Sequence, residues 1–140
     1  MRLRKVFRLM LFAAFFLWLH FWLRFSFGNV ADLGGVCNRG GPFGVSLPLW
    51  LLSTAGMIGG AFLLTLWWRE NTLKSEWPWI LILIGGIGNL LERTLFGCIM
   101  DYIVLPFFPV FNLADVLLTV GVIGVLMEKV KIKMKNDSVK

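Results

Sequence analysis

The stretch Trp77–Leu95, WPWILILIGGIGNLLERTL, decides the fold of this chain. A helix needs about 20 mostly apolar residues to cross the hydrocarbon core of a bilayer. This stretch has that length, and its polar side chains lie only toward its end. A small water-soluble domain leaves a large fraction of its surface exposed and cannot bury so much apolar sequence. The stretch therefore predicts a transmembrane helix with a polar end.

The composition of the whole chain agrees with a membrane protein. Hydrophobic residues make up 58% of the 140 residues and charged residues 16%, against about 25% charged residues in typical soluble domains. Three further segments are long and apolar enough to span a bilayer, at about 9–27, 47–68 and 113–130. We predict an all-α integral membrane fold with four transmembrane helices in a single domain, 1–140. This excludes a cytosolic enzyme, a secreted disulfide scaffold and a disordered tail.

The distribution of positive charge predicts the orientation in the membrane. The net charge is +6, and most of the fourteen Lys and Arg residues lie near the two ends and in the connection at 69–76. Because Lys-rich and Arg-rich connections stay in the cytoplasm, we expect both termini there and the connections at 28–46 and 96–112 on the extracytoplasmic face. No basic face is interleaved with aromatic side chains, as nucleic-acid binding would need. Membrane lipids are expected partners, and nucleic acid is not.

Polar residues cluster at the end of the third segment. A charge in the middle of a bilayer costs about 2.5–3.5 kcal/mol on insertion scales, and membrane-embedded acids are functional-site candidates by default. Asn89 and Arg93 are four residues apart and share one helix face, with Glu92 close to that face. For this stretch alone, an alternative stays open, namely close helix packing at its glycines with an arginine that reaches the interface.

Two acidic residues are predicted to lie near the extracytoplasmic interface. Asp101 lies in the connection after the third segment, and Asp115 lies within about one turn of the start of the fourth. Two carboxylates a few ångströms apart share one proton, so one can act as a general base on water and the other as a general acid. Taken alone, Asn112 is also explained as an N-cap and Asp115 as an acid favoured by the helix dipole.

Other catalytic chemistries have weaker support. Ser46 and Ser53 have no His or Lys base near them in sequence, and His20 is far from both cysteines. We interpret His20 as a helix-packing residue or a neighbour of Arg24 rather than as a catalyst. The two cysteines and one histidine show no metal-type spacing, so no metal or cofactor is expected. Cys37 and Cys98 both fall on the extracytoplasmic side, where the environment permits a disulfide, but the sequence does not set the distance between them.

Several motifs of the chain recur together in one known family. In chain order they are Asn38-Arg39-Gly40-Gly41-Pro42-Phe43-Gly44, Gly85-Gly86-Ile87-Gly88-Asn89-Leu90-Leu91-Glu92-Arg93, Gly97, Asp101-Tyr102, Pro109-Val110-Phe111-Asn112-Leu113-Ala114-Asp115 and Gly121. With the four-helix layout, they resemble signal peptidase II, the bacterial lipoprotein signal peptidase family. The Asn-x-Ala-Asp element combined with the Gly-Asn-x-x-acid-Arg element is specific, whereas either alone is weak.

The resemblance implies an intramembrane aspartic endopeptidase. It would remove the signal peptide of a diacylglyceryl-modified prolipoprotein just before the lipidated cysteine, in the bacterial cytoplasmic (inner) membrane. Asp101 and Asp115 fall on the catalytic pair of the family. The family's polar positions that line the site and hold substrate fall on Asn38, Asn89, Arg93 and Asn112. We expect a monomer whose active site lies near the extracytoplasmic face.

The resemblance also carries structural expectations and two departures. A small β-sheet should form within about 26–46, between the first two helices, and a short surface helix within about 103–110. The family's usual Asp-x-x-x-Lys in the first helix is replaced here by His20 and Arg24, and Glu92 stands where the family has Asp. A non-catalytic four-helix membrane protein, either a diverged paralogue or a transport or ion-conducting subunit, is the alternative function.

Overall fold

The structure is a computed structural model that describes residues 2–27, 35–40, 47–69 and 76–138. These residues form four helices and two short strands. In chain order they are α1 (Arg2–Phe27), β1 (Val36–Asn38), α2 (Leu49–Arg69), α3 (Trp77–Phe96), β2 (Ile99–Asp101) and α4 (Leu113–Asp137). The predicted fold class, four helices with a small β element, is confirmed.

Two of the helices, α1 and α4, are much longer than the apolar segments that predicted them. α1 begins seven positions before the predicted start at residue 9, and α4 continues seven positions beyond residue 130. Both extensions are rich in Lys and Arg, which are good helix formers. An apolar segment therefore marks the part of a helix that suits lipid, and the helix itself continues until its backbone is capped.

Three of the four helices are long and apolar enough to cross a membrane, namely Val6–Phe27, Leu49–Arg69 and Trp77–Phe96. The fourth, α4, carries Asp115 in its first turn and Lys135 in its last turn. Its crossing of the membrane stays a prediction, as do the single domain 1–140 and the orientation of the termini.

The third helix lies at the centre of the bundle. α3 packs against α1, α2 and α4, and among the described elements it carries the largest number of buried apolar side chains. Two positions in this packing require glycine. A Cβ atom at Gly85 would lie 2.5 Å from the carbonyl oxygen of Ala114, and one at Gly121 would lie 2.6 Å from the carbonyl oxygen of Pro78. These glycines let α3 and α4 approach closely, which brings the polar end of α3 to the first turn of α4.

The small sheet differs from the prediction in its composition. β1 lies within the predicted 26–46, but its partner is β2, from the connection between α3 and α4. The strands are antiparallel, with Val36 opposite Asp101, Cys37 opposite Met100 and Asn38 opposite Ile99. The prediction used one connection only, because sequence pattern does not show pairing between distant segments. Residues 28–34 and 41–46 of the predicted range lie outside the described residues.

The predicted surface helix at 103–110 is wrong. The chain instead doubles back, with Ile103 and Phe111 in an antiparallel bridge whose backbone hydrogen bonds are 2.8 and 3.1 Å long. Pro106 and Pro109 disfavour a helix here, because proline lacks an N–H and restricts the residue before it. The loop brings Asp101 and Asn112, on either side of it, close together.

Candidate active site

Asp101 ends β2 and is almost fully buried, with 5% of its surface exposed. Its Oδ1 accepts a hydrogen bond from Asn112 Nδ2 at 2.9 Å. Its Oδ2 accepts one from Asn38 Nδ2 at 3.1 Å. Gly97 positions this carboxyl, because it ends α3 with a left-handed backbone (φ 73°) and so turns the chain into β2.

Asp115 lies in the first turn of α4, where its side chain helps to begin the helix. Its Oδ2 accepts from the backbone N–H of Asn112 at 3.2 Å, while Asn112 Oδ1 accepts from the backbone N–H of Asp115 at 3.1 Å. This reciprocal pair is a capping box. The other carboxylate oxygen, Oδ1, accepts from Asn89 Nδ2 of α3 at 2.7 Å. The N-cap role considered from the sequence is therefore present, and it also orients the carboxylate.

Asn112 links the two acids and is completely buried. Its Nδ2 donates to Asp101 Oδ1 and also to Asn89 Oδ1 at 3.2 Å. Since Asn89 in turn donates to Asp115, a continuous chain of side-chain hydrogen bonds joins Asp101 to Asp115. Two carboxyl groups fourteen positions apart thus belong to one polar network.

Arg93 and Asn38 join the same network from different elements. Arg93 extends from the last turn of α3, and its NH2 donates to the backbone carbonyl of Gly40 at 2.7 Å. Its positive charge interacts with both Asp101 and Asp115. All six residues singled out from the sequence therefore lie together in the structure. Their catalytic and substrate-binding roles stay predictions.

Burial changes the acidity of the two ionisable groups in the connection. The pKa of Asp101 is raised to about 6, mainly because burial disfavours the charged form. The hydrogen bonds from Asn38 and Asn112 oppose this rise, and the negative charges of Asp115 and Glu92 add to it. The pKa of Tyr102 is raised to about 12, again mainly by burial. At neutral pH Tyr102 is therefore a neutral phenol, and Asp101 titrates in the range where enzymes work.

Beside the network, three ionisable residues form a buried cluster, His20, Arg24 and Glu92. The sequence analysis did not predict that these three side chains lie together. Glu92 is fully buried, and its Oε2 accepts from Arg24 of α1 at 2.7 Å and from the backbone N–H of Met100 at 2.6 Å. The Nε2 of His20 lies 3.1 Å from its Oε1. The pairing of Arg24 with Glu92 could have been predicted, because an acid and a base in apolar segments are expected to pair. The residues that differ from the family motif, His20 and Arg24 in α1 and Glu92 in α3, therefore contact one another next to β2.

A disulfide joins Cys37 of β1 to Cys98, the residue before β2, with 5.6 Å between the two Cα atoms. The pairing left open by the sequence is present in the structure. Beside the site, a groove of about 390 Å³ includes Asp115 and is otherwise lined by Thr119 and apolar side chains, among them Phe111, Val116 and Val120. The described residues contain no group of three or more His, Cys, Asp and Glu side chains that could hold a metal ion.

Comparison with known proteins decides the family. The family model described as signal peptidase (SPase) II matches residues 9–131, which include the whole network. The chain belongs to the signal peptidase II family. The resemblance inferred from the motifs is confirmed, and the matched range includes both the α3 motif and the Asp101–Asp115 region.

Individual relatives agree with this family, and a solved structure shares the fold. The chain is 38% identical over 94 residues to the lipoprotein signal peptidase of Bartonella quintana, covering 62% of this chain and 56% of that one. It is 40% identical over 86 residues to the lipoprotein signal peptidase of Bartonella tribocorum, covering 55% and 52%. These matches span about half the length of each relative. A solved bacterial membrane enzyme at 2.3 Å resolution has the same fold, with a TM-score of 0.78, 22% identity and coverage of 89% and 88%.

Proposed function

We propose that this chain is an intramembrane aspartic endopeptidase. Its substrate would be a diacylglyceryl-modified prolipoprotein, cleaved just before the lipidated cysteine. The observation that carries the proposal is the hydrogen-bond chain through Asn112, which connects Asp101 and Asp115 in a member of the signal peptidase II family. The names of the relatives, lipoprotein signal peptidases, support the substrate class.

The two acids differ in ways that assign their roles. Asp101 is the more buried, and its raised pKa favours the protonated form. Asp115 accepts a backbone and an amide hydrogen bond in the first turn of a helix, where the dipole favours a negative charge. Asp115 is therefore the general base and Asp101 the general acid.

In the proposed cleavage, the two carboxyl groups and one water molecule carry out the proton transfers. Asp115 takes a proton from a water molecule while the water oxygen bonds to the scissile carbonyl carbon, and Asp101 gives its proton to the carbonyl oxygen. As the tetrahedral species collapses, the carbon–nitrogen bond breaks, Asp115 passes its proton to the leaving amine, and Asp101 regains its own. Arg93 balances the negative charge shared by the pair.

The surroundings of the pair suit a membrane-embedded substrate. The groove beside Asp115 is lined mainly by apolar side chains of α4 and the 103–111 loop, which can receive the apolar part of a signal peptide or an acyl chain. The disulfide near the pair supports an extracytoplasmic site, because disulfides persist in oxidising compartments.

A cleavage assay tests the proposal. The full chain, in detergent or lipid nanodiscs, is mixed with a precursor carrying a diacylglyceryl cysteine, and separately with the same precursor carrying a free cysteine. We expect one new product from the lipidated precursor, beginning with the modified cysteine by mass spectrometry. No cleavage, or cleavage at another bond, would contradict the proposal. An ion flux in vesicles that is lost with both aspartates would instead favour the transport alternative.

The raised pKa of Asp101 predicts a pH dependence. The pair is active with one proton, so kcat/KM should fall as pH rises through about 6, where Asp101 loses its proton. Asn38 donates to the ionised carboxylate and so lowers this pKa. Replacing Asn38 by Ala should raise the pKa of Asp101, and the falling limb of the kcat/KM profile should move to higher pH. The matched control Asn136→Ala, at the exposed end of α4, should leave the limb in place. A limb that moves to lower pH in Asn38→Ala would refute this assignment.

A further inference from the structure

Few contacts fix the position of β1, the strand that carries Asn38, relative to β2. β1 is three residues long and pairs with β2 through three residue pairs. No hairpin connects the two strands, since Cys37 and Cys98 are 61 positions apart. In a hairpin the turn fixes the pairing register, so here the register must be fixed by another feature.

The register decides whether Asn38 reaches Asp101. Successive side chains of a strand point to opposite faces of the sheet, and a slip of one residue moves every side chain to the other face. In the observed register, Asn38 and Asp101 are diagonal neighbours on one face and form a hydrogen bond of 3.1 Å. Cys37, on the opposite face of β1, is joined to Cys98, which is also a diagonal neighbour.

The Asn38 amide is held at both ends in this register. Its Oδ1 accepts from the backbone N–H of Gly40 at 3.0 Å, which leaves its Nδ2 directed at Asp101. The carbonyl of the same Gly40 accepts from Arg93 at 2.7 Å. A displaced β1 would therefore break two contacts to the site at once, one to an acid and one to the arginine.

We propose that the Cys37–Cys98 disulfide is a positioning element of the active site. It fixes the register of β1 on β2 and so holds Asn38 on Asp101 and Gly40 on Arg93. The proposal rests on the proposed function, and it makes peptidase activity depend on the oxidation state of this cysteine pair. The two cysteines act through Asn38 and Arg93 and do not contact the reacting atoms.

Reduction would proceed by thiol–disulfide exchange. A dithiol reductant supplies two electrons and two protons, the sulfur–sulfur bond breaks to two thiols, and the reductant is converted to its own disulfide. Cys37 is exposed while Cys98 is 4% exposed, so attack occurs at the Cys37 sulfur. Once the bond is broken, the described contacts that still hold β1 are the short ladder and the polar contacts.

The expected consequences follow from the contacts that are lost. A displaced β1 takes Asn38 from Asp101 and the Gly40 carbonyl from Arg93. A hydrogen bond to a charged group is worth about a tenfold change or more, so kcat/KM on the plateau below pH 6 should fall by roughly that factor. The Asp101 pKa should rise, since Asn38 no longer stabilises its ionised form, and the falling limb of the pH profile should move upward as it does in Asn38→Ala.

The experiment compares the oxidised full chain with the same chain treated with dithiothreitol, in nanodiscs, using the lipidated precursor. The double variant Cys37→Ser/Cys98→Ser should behave like the reduced chain and should not respond to dithiothreitol. The milder variant Cys37→Ser keeps the buried Cys98 and guards against misfolding. In Asn38→Ala, whose contact to Asp101 is already absent, reduction should lower kcat/KM less and should leave the falling limb of the pH profile in place.

Two results would overturn the proposal. One is an equal rate and pH profile for oxidised and reduced chains. The other is an equal loss on reduction with and without Asn38, which would show a general effect on stability. Carbon-13 NMR titration of the Asp101 carboxyl gives a readout independent of cleavage, with an upward shift expected on reduction. If the oxidised chain does not cleave, the proposed function fails, and this titration still decides the positioning claim.

Discussion

Replacing either acid of the pair by its amide should abolish cleavage. In Asp115→Asn the general base is lost, and in Asp101→Asn the general acid is lost. Each such group contributes about 10²–10⁴-fold to a rate, and the two act on the same proton transfers. We expect each single variant to lower kcat by about 10³-fold or more, measured with the lipidated precursor, and the double variant to be little worse than either single variant.

The interpretation depends on keeping the fold intact, and the two substitutions differ in this respect. Asp115→Asn weakens the capping box or the contact with Asn89, because the amide keeps only one oxygen to accept from the Asn112 backbone N–H and from Asn89 Nδ2. Asp101→Asn keeps one oxygen that can accept, but it places its N–H₂ against the other of the two amide donors, Asn38 or Asn112. Thermal unfolding should therefore show a modest loss of stability in each variant. Asp137→Asn, the same change at the exposed end of α4, is the matched control and should keep full activity. Retention of a tenth of the activity in both acid variants would exclude the mechanism.

The helices could be predicted from the sequence, because a transmembrane helix depends on its own residues. Its backbone hydrogen bonds are internal, and its length is set by the bilayer. For this reason Trp77–Leu95 could be identified before any partner was known, and it agrees with α3 to within one residue. Pairing between two strands that are distant in sequence cannot be predicted in this way. β1 and β2 are short and far apart in sequence, and no local pattern specifies that they meet.

The same distinction applies within the site. Asn112 and Asp115 are three residues apart, so a capping box could be anticipated from their spacing. That Asn112 also donates to Asp101 depends on the 103–111 loop, where the family resemblance led to a helix and the prolines favour a turn. Motif resemblance identified which residues belong to the site, whereas their hydrogen-bond partners required coordinates.

Removing the charge of Glu92 should cost more stability than any other polar substitution discussed here. Glu92 is fully buried, and Arg24, 8% exposed, depends on it for neutralisation. Taking away one member of a buried ion pair costs about 3–5 kcal/mol, because the other charge is left uncompensated. Glu92→Gln is the sharpest form of the test, since the amide keeps an oxygen for the backbone N–H of Met100 and changes the charge alone. We expect the free energy of unfolding to fall by about 3 kcal/mol or more, with a loss of activity because Met100 precedes Asp101.

A double variant separates the effect of the charges on stability from the effect of side-chain volume in this cluster. In Arg24→Met/Glu92→Gln neither charge is buried, and a buried pair replaced by uncharged groups of similar volume is often neutral in stability. The double variant should therefore be more stable than Glu92→Gln alone, although it loses the stacking of Arg24 on the Phe96 ring, at 4.0 Å. Unfolding in detergent measures both. The single variant Arg24→Met completes the comparison. If the losses of the two single variants simply add in the double variant, the pair is not coupled and the cluster holds α1 to α3 by packing alone. Recovery in the double variant would instead show that the charge on Glu92 is retained to neutralise Arg24, and that Arg24 in the first helix supports the strand that ends in Asp101.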